Sequence, residues 1–157
     1  MQQYRVLKGR DEIFDAMASR SFDPQQQVIL ETEPDPAPQP SADKGTVTLL
    51  DSSANQLTVE ANLPRPTILL ITDAYSTGWR ARPLADSVQQ TYQILPANYV
   101  LRAIPLSQGH HRILIEYSPL GFRVGTWITV ITLAGLVVAS AFCIRRCRLR
   151  RESVLVP

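Results

Sequence analysis

The sequence predicts a mainly β fold, an antiparallel β-sandwich with a short N-terminal β-α-β piece and one C-terminal transmembrane helix. Three observations predict it. Residues 124–144 carry no charged side chain, and arginines follow at once. After Gly45 come seven short runs rich in β-branched and aromatic residues, separated by Asn, Asp, Gly and Pro, as in a sandwich. Within residues 1–32, an acidic helical pattern separates two strand-like runs.

The uncharged stretch has the length of a membrane span. Its 21 residues would make about 31 Å of helix, which matches the hydrocarbon core of a bilayer. A buried core helix is the alternative, but the stretch is longer than a domain of this size needs. We therefore expect a transmembrane helix over residues 123–144 and a lipid bilayer as partner. The residues expected at the membrane interface are Arg123, Trp127, Arg145, Arg146 and Arg148.

The arginines after Ile144 bear on topology. Five of them lie in the basic tail, residues 145–157, which favours a cytoplasmic C-terminus and an extracytoplasmic main domain. The first 12 residues contain no apolar leader that would export that domain. Either the domain stays cytosolic and the helix is a tail anchor, or the chain is the end of a longer multi-spanning protein. The second interpretation is preferred, with upstream transmembrane helices as partners.

The remaining chain divides into three parts. Residues 1–32 form the β-α-β segment, residues 33–45 a proline-rich linker, and residues 46–122 the sandwich. The predicted sandwich strands are Thr46–Asp51, Gln56–Ala61, Thr67–Asp73, Trp79–Arg82, Thr91–Leu95, Tyr99–Pro105 and Arg112–Tyr117. Ile68–Ile71 is apolar without interruption, which predicts a central strand, and the last of the seven is also expected in a sheet interior.

The charge balance argues against nucleic-acid binding, and the cysteine content argues against a disulfide-stabilised fold. Residues 1–144 carry 11 basic and 13 acidic side chains, so the main domain has no excess of positive charge for nucleic acid. The only cysteines, Cys143 and Cys147, lie at the end of the span, where reduced thiols are expected and palmitoylation is the alternative. We expect no disulfide.

The segment 73–80 holds the best candidate for ligand binding. Tyr75 and Trp79 flank a glycine, and Asp73 and Arg80 add polar groups. Aromatic rings can stack on sugar rings while polar neighbours bind the hydroxyls, so these four are candidate glycan contacts. The alternative is that Trp79 closes the end of the sandwich.

The two histidines do not predict a metal site. His110 and His111 are adjacent, so on a strand they point to opposite faces and cannot share one metal ion. They are expected at a polar turn before the last strand. Scattered carboxylates form no recognisable acid–base pair, and no nucleophile or phosphate-binding motif occurs. We expect no catalytic residue, no metal and no cofactor.

Four phrases in order along the chain resemble the C-terminal part of the bacterial YfhO-type membrane protein family. They are residues 71–81, with the Gly-Trp turn, residues 95–106, residues 109–125, with Gly-His and Tyr-x-Pro, and the weaker phrase 21–31. The sequence departs from the family at residues 82–92, where members usually have a short Asp-Gly hairpin.

The resemblance implies a role in cell-envelope glycosylation. The family is similar to multi-spanning glycosyltransferases that use lipid-linked sugars at the outer membrane face. The implied catalytic acid would lie in an earlier loop, so this chain would be a non-catalytic, extracytoplasmic accessory domain in the bacterial inner membrane, with glycan or lipid-linked sugar as partner. The alternative function is a single-span interaction module unrelated to sugar transfer.

Overall fold

The computed structural model describes residues 1–43 and 45–154 of the chain. The side chains of residues 120, 123, 143, 144 and 146–154 lie outside that description, and so do the expectations for Arg123, Arg146, Arg148 and both cysteines. The chain forms two compact units, which meet in sequence between Ser118 and Pro119.

In the described ranges, the first unit contains nine strands and one helix, and the second contains a single helix. In chain order they are β1 (Gln3–Val6), α1 (Arg10–Ala18), β2 (Gln27–Leu30), β3 (Thr46–Ser53), β4 (Gln56–Leu63), β5 (Thr67–Ile71), β6 (Trp79–Pro83), β7 (Leu95–Ala97), β8 (Leu101–Leu106), β9 (Gly109–Tyr117) and α2 (Leu120–Val154).

The strands form two sheets, which confirms the predicted fold class. The five-stranded sheet has the order β1-β2-β7-β8-β5, and the four-stranded sheet has the order β3-β4-β9-β6. All pairs are antiparallel except β1 and β2, which are parallel neighbours joined through α1. The strand β9 is interior, as expected for the last predicted strand, because β4 and β6 pair with its two sides.

The predicted β-α-β piece joins the five-stranded sheet. The end of β2 pairs with β7 at Leu30 and Ala97, and all of β1 pairs in parallel with β2. Residues 1–118 therefore form one compact unit, and the proline-rich segment is part of it. The division of the chain at residues 33–45 stays a prediction.

The main core lies between the two sheets. It is built from alternate residues of the facing strands, since successive side chains of a strand point to opposite faces. Fully burying one such aliphatic side chain contributes about 1.5–3 kcal/mol. The buried members are Val59, Ala61, Leu63, Tyr92, Ile104, Leu106, Ile113 and Ile115. A second cluster, which includes Val28, Leu30, Ile68 and Ala103, covers the other face of the five-stranded sheet.

The prediction that Ile68–Ile71 is a central strand was wrong. It lies in β5, at the edge of its sheet, and among the described residues β8 is its only strand neighbour. The run is apolar throughout because both of its faces are covered: Ile68 and Leu70 pack in one cluster, Leu69 and Ile71 in the other. Part of the outer edge is also paired, since Met1 exchanges two backbone hydrogen bonds with Ile68, of 2.6 and 2.9 Å.

The expected strand at Thr91–Leu95 was also misplaced. Only Tyr92 forms an isolated bridge, to Ala81, and the regular strand begins at Leu95. Tyr92 is the last residue of the segment 82–92, in which the sequence departs from the pattern of the resembling family.

The helix α2 contains the apolar span. Residues Val124–Phe142 have a mean hydropathy of 1.9 and are unburied by the protein, which fits a helix that faces lipid. Three threonine hydroxyls within it donate to the carbonyl four residues earlier, at 2.8–2.9 Å. These bonds give each hydroxyl group a partner, which lipid tails could not provide.

The two adjacent histidines, His111 and His110, lie in different environments. His111 is fully buried, its Nε2 donates to the Ser107 carbonyl, and its Nδ1 accepts from the Tyr92 hydroxyl, each at 2.8 Å. Burial lowers the pKa of His111. The pKa of its half-buried neighbour His110 is raised, mainly by hydrogen bonds to the Asp86 carbonyl and to Glu60.

The two histidines should give opposite pH dependences of stability. With its lowered folded pKa, His111 destabilises the fold as pH falls below 6.5, its ordinary value, because the unfolded chain binds the proton more readily. In thermal melts of the detergent-solubilised chain between about pH 5 and 8, His111→Gln should lose less stability on acidification than the wild type.

His110→Gln is the matched control. The contribution of His110 is present below 6.5 and is lost as pH rises through its raised pKa, so this variant should be less stable than wild type on the acid side and approach it on the alkaline side. An acid-induced loss as large in His111→Gln as in wild type would contradict the assignment.

Candidate functional site

The loop between β5 and β6, residues 72–78, is held in place by backbone hydrogen bonds to other parts of the sandwich. The Tyr75 nitrogen donates to the Val100 carbonyl at 2.8 Å, and the Gly78 carbonyl accepts from Ser118 at 2.8 Å. Asp73 turns the chain by accepting from the Ala74 nitrogen. The loop is therefore attached to the β7–β8 turn at one point and to the end of β9 at another.

Gly78 allows β6 and β9 to approach each other at this end. Trp79 pairs with Tyr117 across the two strands, and the two rings are tilted by 52° with centroids 5.2 Å apart. A Cβ at position 78 would lie 2.6 Å from Cε2 of Tyr117, so any larger residue would push the Tyr117 ring away. The aromatic pair therefore depends on glycine at this position.

Arg102 lies beneath the loop, inside the sandwich. Its side chain is fully buried, and its guanidinium carbon lies 3.7 Å from the centroid of the Trp79 ring. Its one ion partner among the described residues is Asp73, whose side chain is 60% exposed. Nε and Nη1 of Arg102 have no hydrogen-bond partner among the residues that the structure describes. Burial also lowers the pKa of Arg102, an effect that the charge of Asp73 opposes.

The buried charge of Arg102 explains why Asp73 and Trp79 lie against it. A buried guanidinium is costly unless it is paired, and here a partly solvated carboxylate and the face of an indole ring offset that cost. Asp73 is thus committed to Arg102, and Trp79 presents one of its faces to the same side chain.

The remaining predicted residues line an open cleft of about 460 Å³ beside the loop. Small-molecule sites commonly fall in the range of about 300–1,000 Å³. One wall carries Tyr75, Ser76, Thr77, Trp79 and Arg80, and the other carries Tyr92, Gln93 and Ile94. Arg80 forms no ion pair within the described part of the chain, because Glu116, opposite it on β9, pairs instead with Arg82 at 2.6 Å.

Three of the four candidate glycan contacts thus share one cleft, and the fourth does not line it. Tyr75, Trp79 and Arg80 belong to the cleft, whereas Asp73 faces Arg102. That any of them contacts a glycan stays a prediction. The sequence analysis missed Arg102, Tyr92 and Gln93. Arg102 had a signal, since it is the only charge in the apolar run from Val100 to Leu106.

A larger groove, of about 730 Å³, lies elsewhere on the sandwich, lined by residues that include Val47, Leu63 and Leu69. Its described lining contains no aromatic or charged side chain, so it offers polar amides and hydroxyls but no ring on which a sugar could stack. Among the described residues there is also no cluster of three or more His, Cys, Asp and Glu that could hold a metal ion.

Comparison with known proteins identifies one family. Residues 40–129, which are 90 of the 157 residues, match the family described as bacterial membrane protein YfhO. The match includes the loop, the cleft and the first part of the apolar span. No curated protein and no solved structure matches the chain.

The ion pair between Asp73 and Arg102 should contribute to the free energy of unfolding. Asp73→Asn removes the one described charge that compensates the buried guanidinium and should lower the free energy of unfolding by about 1–3 kcal/mol. In Arg102→Met the buried charge is absent, so adding Asp73→Asn to that variant should cost much less. Chemical denaturation of the two single variants and the double variant gives the coupling. Purely additive effects would show that the pair contributes nothing.

Proposed function

Because the chain belongs to the YfhO family of bacterial membrane proteins, we propose that it is a membrane-anchored accessory domain of cell-envelope glycosylation. In this proposal the sandwich, residues 46–122, binds a glycan or the sugar of a lipid-linked donor and catalyses no transfer itself. The observation that carries the proposal is the cleft, in which half-buried aromatic side chains and exposed polar side chains adjoin the strand that leads into the apolar helix.

The chemistry of the cleft suits a carbohydrate. The half-buried ring of Tyr75 offers apolar surface to the C–H face of a sugar, whereas Tyr92, which also lines the cleft, is only 9% exposed. Arg80 and Gln93 supply donors for hydroxyl groups, and Gln93 and Ser76 supply acceptors. Trp79 takes part only through the portion of its ring that Arg102 leaves free.

The position of the cleft along the chain favours a ligand near the membrane. Trp79, in the cleft wall, pairs with Tyr117, the last residue of β9, and α2 begins three residues later at Leu120. A sugar carried on a lipid lies at the membrane surface, so this end of the sandwich suits it better than the end at Gly109. The other partners that we propose are transmembrane helices of a longer protein of this family.

The orientation that we propose places residues 1–122 outside the cytoplasm and the basic tail, residues 145–157, inside the bacterial cell. Clustered arginines beside a span resist translocation. A mixed-charge sandwich without an excess of basic residues presents no such barrier.

Glycan binding should depend on Tyr75. The full chain in nanodiscs should bind polyprenyl-phosphate sugars or soluble envelope oligosaccharides, and Tyr75→Ala should weaken binding about three- to tenfold, as loss of one aromatic contact implies. Its melting temperature should stay near wild type, since the fixed contact of Tyr75 is through its backbone.

The control for this variant is Tyr4→Ala, a tyrosine on β1 outside the cleft, which should leave binding unchanged. The same preparation should transfer no sugar from these donors. If the wild type binds no glycan, the alternative of an interaction module unrelated to sugar is favoured; turnover abolished by changing one carboxylate would contradict the non-catalytic role.

Topology is tested separately in cells. An alkaline phosphatase fused after Pro157 should be inactive, because this enzyme is active only outside the cytoplasm, whereas a fluorescent protein at the same point should fluoresce. Replacing all five tail arginines by serine should shift a fraction of molecules to the opposite orientation. An active phosphatase on the unchanged chain would reverse the proposed topology.

A further inference from the structure

The surface formed by Phe14, Tyr99 and Val100 exposes apolar groups that the sandwich leaves uncovered. The side chains belong to α1 and to the β7–β8 turn, and they are 44%, 41% and 54% exposed. The rings of Phe14 and Tyr99 pack against each other with centroids 4.9 Å apart. The guanidinium of Arg10 lies 5.7 Å from the Phe14 ring.

The β7–β8 turn contains two residues in a left-handed backbone conformation, which is unfavourable for residues other than glycine. Asn98 and Tyr99 both have positive φ, of 45° and 67°. The conformation of Asn98 is accounted for, because its backbone and side chain make two hydrogen bonds with Ile29, each of 2.8 Å. Tyr99 makes no such bond, and a left-handed conformation costs a residue of its kind about 1–2 kcal/mol. A tyrosine is thus held outward at a position suited to glycine.

The turn lies close to the point where the chain leaves the sandwich for the apolar helix. The Val100 carbonyl accepts from Tyr75, and the loop that begins there ends at Gly78, whose carbonyl accepts from Ser118. The helix begins two residues after Ser118. Two backbone hydrogen bonds and one short loop therefore connect the exposed turn to the segment that enters the membrane.

We propose that the Phe14–Tyr99–Val100 surface contacts the interfacial layer of the bilayer. Aromatic rings with a polar tip and an arginine beside them are the groups that prefer the boundary between headgroups and acyl chains. The contact would hold the cleft toward the lipid surface, from which a lipid-linked sugar would be presented. The inference itself requires only the membrane and is independent of the glycan.

Another apolar surface is less suited to this partner. Strand β3 exposes Val47 and Leu49 at the edge of the four-stranded sheet. It contains neither an aromatic nor a basic side chain, so it lacks the groups that bind the headgroup layer.

The experiment places one fluorescent label on the full chain in nanodiscs. Cys143 and Cys147, the only cysteines, are first changed to serine. An environment-sensitive dye is then attached to Val100→Cys, or to Val88→Cys as control. Val88 is equally exposed, at 56% against 54%. It lies beside Gly109, at the opposite end of a nine-residue strand about 26 Å long from Tyr117.

The dye at position 100 should shift its emission to shorter wavelength and lose intensity when the discs contain lipids with a nitroxide near the headgroup. The dye at position 88 should do neither. The proposal is overturned if the two positions respond alike, or if only position 88 is quenched. Melting curves confirm that each labelled variant is folded, and Phe14→Cys replaces Val100→Cys if the latter is not.

Discussion

The burial of one arginine between the two sheets sets the geometry of the functional end of this domain. Arg102 is carried by β8 in one sheet, and it stacks on Trp79 of β6 in the other. Its charge can remain inside only because Asp73 reaches it from the loop between β5 and β6. The loop is consequently tied to the interior, although most of its residues face solvent. Within the described part of the chain, two of the guanidinium nitrogens have no partner, so the site retains some of the cost of burying the charge.

This constraint separates the residues of the candidate site into two groups. Asp73 and part of Trp79 serve the buried arginine and so support the loop. Tyr75 and Arg80 are left to face the cleft, opposite Tyr92. Tyr92 is itself fixed by its hydrogen bond to His111, which lies in the core. Both walls of the cleft are therefore held by buried polar groups, which favours a preformed site that loses little entropy when a ligand binds.

The same end of the sandwich carries the connection to the membrane. The last strand ends beside the Gly78 turn, and the apolar helix follows within three residues. A cleft for sugars and an exposed aromatic surface for lipid would both be placed where a lipid-linked substrate is found, which is the common logic of the two proposals.

The sequence by itself determined the fold class, the apolar span and the family. These depend on patterns that are local along the chain, namely alternation, turn residues and an uncharged run of membrane length. It also placed Tyr75, Trp79 and Arg80 close together, since they lie within six residues of one another. Only the tertiary structure decided that Asp73 turns inward to Arg102, and that Tyr92 and Gln93 face the loop. Those partners are distant in sequence and meet because the strands cross between two sheets. The edge position of β5 was likewise decided by tertiary structure. An apolar run indicates that both faces of a strand are buried, but it does not indicate how many strands lie beside it.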